Sequence, residues 1–222
     1  MNIVKEILSF PETVALSCES KKTVWLLRHS MRLSLASGTT DPGLTSEGRA
    51  YAVECGALLA GIENPFFGAS PRIRCLETSE ALMEGGNYGR LPLYRYPELR
   101  DTAMFTSPDA LDKAVAGGNV PTLLAGYFSE GFAPEMVPLG EFSAALMSFL
   151  KRVADEHKNV ILTTHDIVIL SILFKSGVYE FHQNDWCGYI QGALLFQDNE
   201  DKWHLAYTVP DRFTRRRYQL FV

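Results

Sequence analysis

Short, wholly apolar runs alternate along the chain with longer stretches in which apolar residues recur every three or four positions. Thr23-Val24-Trp25-Leu26-Leu27 is apolar after its first residue, the pattern of a strand buried on both faces. Residues 1–22 predict a short helix leading into it. After a polar loop with Gly38, Asp41, Pro42 and Gly43, the spacing predicts a helix from about Ser46 to Ala60, with Ala50, Val53, Ala57 and Leu58 as its apolar face. Phe66-Phe67-Gly68-Ala69 reads as the next strand. A helix is expected to start at Ser70-Pro71, where proline loses no hydrogen bond, and to close at Gly85-Gly86.

The segment 87–141 is rich in Pro and Gly and weakly periodic. Within it Leu91–Tyr96 predicts a strand and Asp109–Val115 short helical pieces, so the segment reads as a cap or lid inserted in one domain spanning 1–222. Regularity returns where Phe142, Leu146, Phe149, Leu150 and Val153 line one helix face. The strand Val160–Thr164 follows, then a helix from His165 to Lys175 ended by Gly177, and two closing strands at Ile190–Phe196 and Trp203–Thr208. Alternating strands and helices predict an α/β fold: a mostly parallel central sheet covered by helices on both sides, a three-layer α/β/α sandwich. Ligands on such folds sit beyond the carboxyl ends of the strands.

Composition narrows the partners. With 222 residues and 46% hydrophobic content the chain has enough apolar surface for one well-buried core. A net charge of -5 argues against general nucleic-acid binding, and the run Arg215-Arg216-Arg217 reads as a solvated face. No apolar stretch approaches the roughly 20 residues of a membrane span and the N-terminus has no signal pattern, so no membrane is expected and the cytoplasm is the default. Cys18, Cys55, Cys75 and Cys187 are scattered, without the spacing of a disulfide framework or a zinc site. Oligomeric state leaves no trace in the pattern.

The candidate chemistry lies at three strand ends. Arg28-His29-Ser30-Met31-Arg32 follows the first strand, Ser70 and Arg74 follow the second, and His165-Asp166 follows the strand Val160–Thr164. A phosphomonoester carries up to two negative charges. Fixed cations are needed to offset that charge and to bind the equatorial oxygens as the transition state forms. Arg28 and Arg74 suit this task, with planar forks and permanent charge. His29, kept neutral by nearby arginines, is the expected nucleophile, leaving a phosphohistidine that water opens. His165 is expected to donate to the phosphoryl oxygens, Arg32 to bind phosphate or a carboxylate, and Ser70 to cap its helix while touching phosphate. Thr78 reads as structural. Two histidines and one aspartate without a local ligand motif predict no metal and no cofactor.

These motifs resemble the histidine phosphatase superfamily, which includes phosphoglycerate mutases and acid phosphatases. Its Arg-His-Gly motif is matched by Arg28-His29-Ser30, and its Ser-Pro-x-x-Arg-x-x-x-Thr motif by Ser70 to Thr78. Its Leu-Thr-x-x-Gly helix start is matched by Leu44 to Gly48, and its late histidine by His165. The resemblance implies a metal-independent phosphatase acting on a small phosphorylated substrate. A phosphomutase, or a non-catalytic regulatory protein with a retained phosphate site, are the alternatives.

Ser30 departs from the family's glycine, and a hydroxyl there is expected to reach the phosphate. Two positions compete for the acid that protonates the leaving group. In the mutase branch a Leu-x-Glu acid lies mid-chain, matched here by Leu99-Arg100-Asp101, with Glu98 nearby. In the acid phosphatase branch the acid is the aspartate of a His-Asp pair, here Asp166, and Arg32 matches that branch's longer Arg-His-Gly-x-Arg motif. Asp166 is slightly preferred. Whichever acts is expected to sit where its pKa is raised.

Overall fold

A computed structural model describes residues 1–4, 6–34, 41–107, 109, 110, 113, 120–178 and 186–211. The strands are β1 (Asn2–Ile3), β2 (Leu8–Ser9), β3 (Lys22–Arg28), β4 (Phe66–Ala69), β5 (Leu93–Arg95), β6 (Asn159–Thr164), β7 (Gly192–Gln197) and β8 (Trp203–Val209). The helices are α1 (Phe10–Glu19), α2 (Ser46–Leu58), α3 (Ile73–Gly85), α4 (Val120–Glu130), α5 (Leu139–Glu156) and α6 (Asp166–Lys175). One sheet runs β1-β8-β7-β3-β6-β4-β5, with β2 also paired to β8. Among these strands only the pairs made by β7 are antiparallel.

The sheet divides the core by the two-residue period of its strands. Val24 and Leu26 of β3, Val160 and Leu162 of β6 and Leu195 of β7 face α4, α5 and α6. Trp25, Leu27, Ile161, Leu194 and Phe67 point the other way, against α1, α2 and α3. Strands buried on both faces account for the unbroken apolar runs, and the three-layer α/β/α fold follows. Phe142, Leu146, Phe149, Leu150 and Val153 of α5 are all buried, as their spacing predicts.

Several expectations are corrected. Two short strands, β1 and β2, precede α1; two residues each give no readable alternation. The buried face of α2 is Gly48, Tyr51, Ala52, Cys55 and Gly56, while Leu58 is 39% exposed. Small residues decide this. A Cβ on Gly56 would lie 2.4 Å from Leu82 O, and one on Gly85 would lie 1.8 Å from Val53 O, so α2 and α3 touch backbone to backbone. The third helix begins at Ile73 rather than at Ser70-Pro71, because the Asp41 carboxylate accepts from the Ile73 amide (3.2 and 3.3 Å).

Of the segment 87–141, β5 extends the sheet edge, and Leu99, Met104, Phe105, Tyr127 and Phe128 join the core that holds Val24 and Leu26. Tyr94 is half exposed and stacks on Phe66. The helical pieces expected at Asp109–Val115 fall mostly outside the described residues, and Arg215 to Arg217 fall wholly outside them. Among the described residues no helix is long and apolar enough to cross a membrane.

The close crossing of α2 and α3 makes a testable demand. Alanine is a better helix former than glycine by about 1 kcal/mol, yet Gly85→Ala is expected to destabilise the protein by about 1–3 kcal/mol, because the added methyl meets backbone. Urea unfolding measures the difference, and a stabilised variant would contradict the crossing.

Candidate active site

Strand pairing builds the site. The last pair between parallel β3 and β6 joins Arg28 to Thr164, and the His29 amide donates to Thr164 O (2.9 Å). On the other side of β6, the Ser70 amide donates to Thr163 O (2.8 Å). Arg28-His29, Ser70 and His165 therefore leave three neighbouring strands at one level, and the His29 and His165 rings meet edge to face at 5.4 Å. The two threonines ending β6 anchor the rest. Thr163 Oγ1 donates to Cys75 O (2.8 Å), fixing α3 and Arg74, and Thr164 Oγ1 donates to Leu99 O (2.7 Å), fixing the turn before Asp101.

His29 is buried, with Nδ1 2.7 Å from Ser30 O. A carbonyl oxygen only accepts, so the proton sits on Nδ1 and the lone pair on Nε2. Burial above all, then the charges of His165, Arg28 and Arg74, holds its pKa well below 6.5; the Ser30 carbonyl works weakly the other way.

The Ser30 hydroxyl is not directed to a ligand as expected. Ser30 is fully buried, its Oγ donates to Gly48 O (2.7 Å), and its amide donates to Thr78 Oγ1 (3.0 Å). The Leu44 to Gly48 motif serves the same turn. Thr45 caps α2 by accepting from the Gly48 amide (2.9 Å), and a Cβ on Gly48 would lie 2.1 Å from Met31 O.

Around the imidazoles lie paired charges. Arg74 Nη2 donates to Asp101 Oδ2 (2.9 Å) and to His165 Nδ1 (3.1 Å), while Nη1 lies 3.4 Å from Asp41 Oδ1. Because a guanidinium only donates, Nδ1 of His165 carries the lone pair and Nε2 donates to Ser70 Oγ (3.1 Å). Ser70 thus touches His165 and does not cap α3. Burial pushes the His165 pKa down to about 4, against the pull of Asp101. Arg28 Nη2 pairs with Asp166 Oδ2 (2.9 Å) and Nη1 donates to Cys187 O (2.6 Å). Among the described residues, the buried side-chain nitrogens and oxygens without a hydrogen-bond partner are Arg28 Nε and Arg74 Nε.

Neither candidate acid has a raised pKa, contrary to expectation. Burial opposes ionisation of Asp101, but His165, Arg74 and Arg72 outweigh it and hold the carboxyl below the usual range. Asp166 behaves alike: burial is outweighed by Arg28, the Trp186 indole, the Ile167 amide and His165. Glu98 is exposed on the preceding turn. Arg32 is half-buried and donates to Leu33 O (3.0 Å); burial lowers its pKa first, then the charges of Arg74 and Arg28, which places it beside the same cluster.

A family model for the histidine phosphatase superfamily, branch 1, matches residues 24–183, a span containing Arg28, His29, Arg74, Asp101, His165 and Asp166 but not Trp186 or Cys187. The chain belongs to the histidine phosphatase superfamily. Among solved structures, a phosphoglycerate mutase from Bacillus anthracis is 16% identical with a TM-score of 0.59, covering 89% of this chain and 96% of that one. A mycobacterial glucosyl-3-phosphoglycerate phosphatase is 21% identical with a TM-score of 0.53, covering 84% and 98%. The alpha-ribazole phosphatase of Shigella flexneri is 16% identical with a TM-score of 0.57, covering 84% and 95%. At these identities the likeness is one of fold. Comparison with curated proteins gives no match.

Residues that this superfamily's motifs do not specify also enter the site. Arg72 reaches Asp101 Oδ1 through Nε and Nη2 (both 3.2 Å), Trp186 Nε1 donates to Asp166 Oδ2 (2.8 Å), and the Tyr189 ring centroid lies 4.5 Å from the Arg28 guanidinium carbon. No periodicity or motif marks them in the sequence. Ile190 alone has a local signature in the structure: it is a buried β-branched residue at φ 57, a strained conformation that turns the chain back toward Arg28.

His165 sets a pH dependence of stability. The unfolded chain takes up a proton there near pH 6.5 and the folded protein only near pH 4. Stability therefore falls as pH drops through that window, by at most about 1.4 kcal/mol per pH unit from this group. Urea unfolding between pH 7 and about pH 4.5 is expected to show a shallower decline in His165→Gln than in the parent; parallel curves would count against the assignment.

Proposed function

We propose that this protein is a phosphomonoester hydrolase that works through a covalent phosphohistidine on His29 and needs no metal or organic cofactor. One observation carries the reading: a neutral imidazole with its Nε2 lone pair available is bracketed by two arginines whose Nε atoms are buried and have no partner among the described residues. A phosphoryl group supplies three oxygens able to accept from such donors as charge develops. The phosphatases among the similar structures support the same reaction class.

In the proposed reaction His29 Nε2 attacks phosphorus and the ester P–O bond breaks. The leaving oxygen takes a proton from a carboxylic acid, and that carboxylate then takes a proton from the water that breaks the N–P bond and releases phosphate. We assign the acid to Asp101. Its Oδ2 is held by Arg74 Nη2, a donor that an incoming phosphoryl group competes for, and lies 4.0 Å from His165 Nδ1. A dianion at Arg74 draws the guanidinium away and sets a like charge beside Asp101, and both changes raise its pKa. Asp166 also pairs with Arg28, but when a phosphoryl group draws on that arginine its Oδ1 keeps the Ile167 amide and its Oδ2 the Trp186 indole. With Asp101 able to take up the proton, the site has an acid once substrate is bound. Arg32 is assigned to the substrate's remaining polar group.

Two measurements test this. The purified protein is expected to release inorganic phosphate from an aryl phosphate in the presence of a chelator, and His29→Ala to lose that activity by at least about 10³-fold; undiminished turnover would remove the histidine nucleophile. Asp101→Asn is expected to slow an alkyl phosphate by about 10²-fold or more and nitrophenyl phosphate much less, since only the poor leaving group needs the proton. Equal losses on both esters would remove Asp101 from the role.

A further inference from the structure

Arg28 is clamped on three sides. Nη1 is bound to Cys187 O, Nη2 to Asp166 Oδ2, and the guanidinium plane rests against the Tyr189 ring. What remains is the Nε edge, which is buried and without a partner among the described residues. Asp166 is itself fixed from both ends, Oδ1 accepting from the Ile167 amide at 2.8 Å and Oδ2 from Trp186 Nε1 at 2.8 Å. Behind it, Trp186 packs edge to face on Phe128 of α4, with ring centroids 6.4 Å apart. The segment that supplies Cys187 and Tyr189 is pinned to the same strand. Arg28 donates its amide to Gln191 O (2.9 Å), and Ile190 donates its own to Arg28 O (3.1 Å).

We propose that Asp166 and Trp186 are positioning residues that act through Arg28: the indole fixes the carboxylate, and the carboxylate fixes the guanidinium with its Nε edge directed at a phosphoryl oxygen. The inference rests on the phosphatase reading of the same site. Its physical basis is entropy and direction. A free arginine side chain has many rotamers, and a fork that must find its orientation during reaction loses the advantage of being held in place beforehand. Both partners of Asp166 oxygens besides Arg28 are pure donors, so the residue is built to remain a carboxylate. Asp166 and Arg28 stand between Trp186 and the phosphoryl site, so what the indole does through Asp166 is to orient Arg28.

Trp186→Phe removes the indole N–H and keeps an aromatic ring against Phe128; Asp166→Asn is isosteric and removes the charge. Both are compared with the parent, and with the double variant, on nitrophenyl phosphate and on an alkyl phosphate, with inorganic phosphate binding measured by calorimetry. Trp186→Phe is expected to lower kcat/KM about tenfold and Asp166→Asn about a hundredfold, each by the same factor on both esters, with weaker phosphate binding in both. The double variant is expected to be no worse than Asp166→Asn alone, because the indole acts only through the carboxylate. Additive losses, parental kinetics in Trp186→Phe, or a loss in Asp166→Asn concentrated on the alkyl ester would each overturn the proposal. Should Trp186→Phe fail to fold by its melting curve, Asp166→Asn carries the comparison between esters. Should the parent hydrolyse neither ester, the phosphatase reading falls; the clamp is then judged on phosphate binding, where parental affinity in both variants overturns it.

Discussion

The parallel pairing of β3 with β6 is the constraint on which the rest of the site depends. Each strand has apolar residues on both faces, Val24 and Leu26 with Val160 and Leu162 on one side, Trp25 and Leu27 with Ile161 on the other. A slip of one residue would exchange the two sets between layers of different shape, so packing specifies the register strongly. That register ends both strands together at Arg28 and Thr164. Two histidines 136 positions apart therefore meet at 5.4 Å without any contact of their own having to draw them together. Hydrophobic packing sets the distance, and the polar groups inherit it.

The second constraint is the burial of charge. Arg28 and Arg74 are largely withdrawn from water, which is tolerable only with partners. Asp166 serves Arg28, while Asp101 and Asp41 serve Arg74. These carboxylates let the folded chain hold its arginines in place without a ligand, and among the described residues they leave the two buried Nε atoms without a partner. The same arrangement explains why both carboxyls titrate below their ordinary range. Under the proposed mechanism a raised pKa in the free protein would not mark the acid, because the charge that raises it would arrive with the substrate.

The urea and kinetic experiments above probe residues of unequal legibility. Strand ends carrying Arg28-His29, Ser70 and His165 were readable because fully buried strands are unbroken apolar runs and the residues after them are polar. The face of α2 was not, since apart from Tyr51 it is made of Gly48, Ala52, Cys55 and Gly56, and closeness of backbones more than apolar bulk selects it. Asp101 and Asp166 were identifiable as candidates, but their charge state depends on Arg72, Arg74, Arg28 and Trp186, contacts made across long stretches of chain. Trp186 and Tyr189 lie in a segment with no period to reveal which way they point.

Ser30 shows how a departure from a family motif should be weighed. Glycine at this position suggests either a left-handed backbone or a close approach that a side chain would block. Ser30 is not among the described residues with positive φ, so the first reason does not apply. Its side chain is fully buried and bonded to Gly48 O, away from solvent, so the second does not apply either. With its amide on Thr78 and its carbonyl on His29 Nδ1, the residue joins the turn after β3 to both α2 and α3. The carbonyl that fixes the tautomer of His29 is thereby held by one more hydrogen bond than a glycine could provide, and the substitution is compatible with a working imidazole rather than evidence of a lost one.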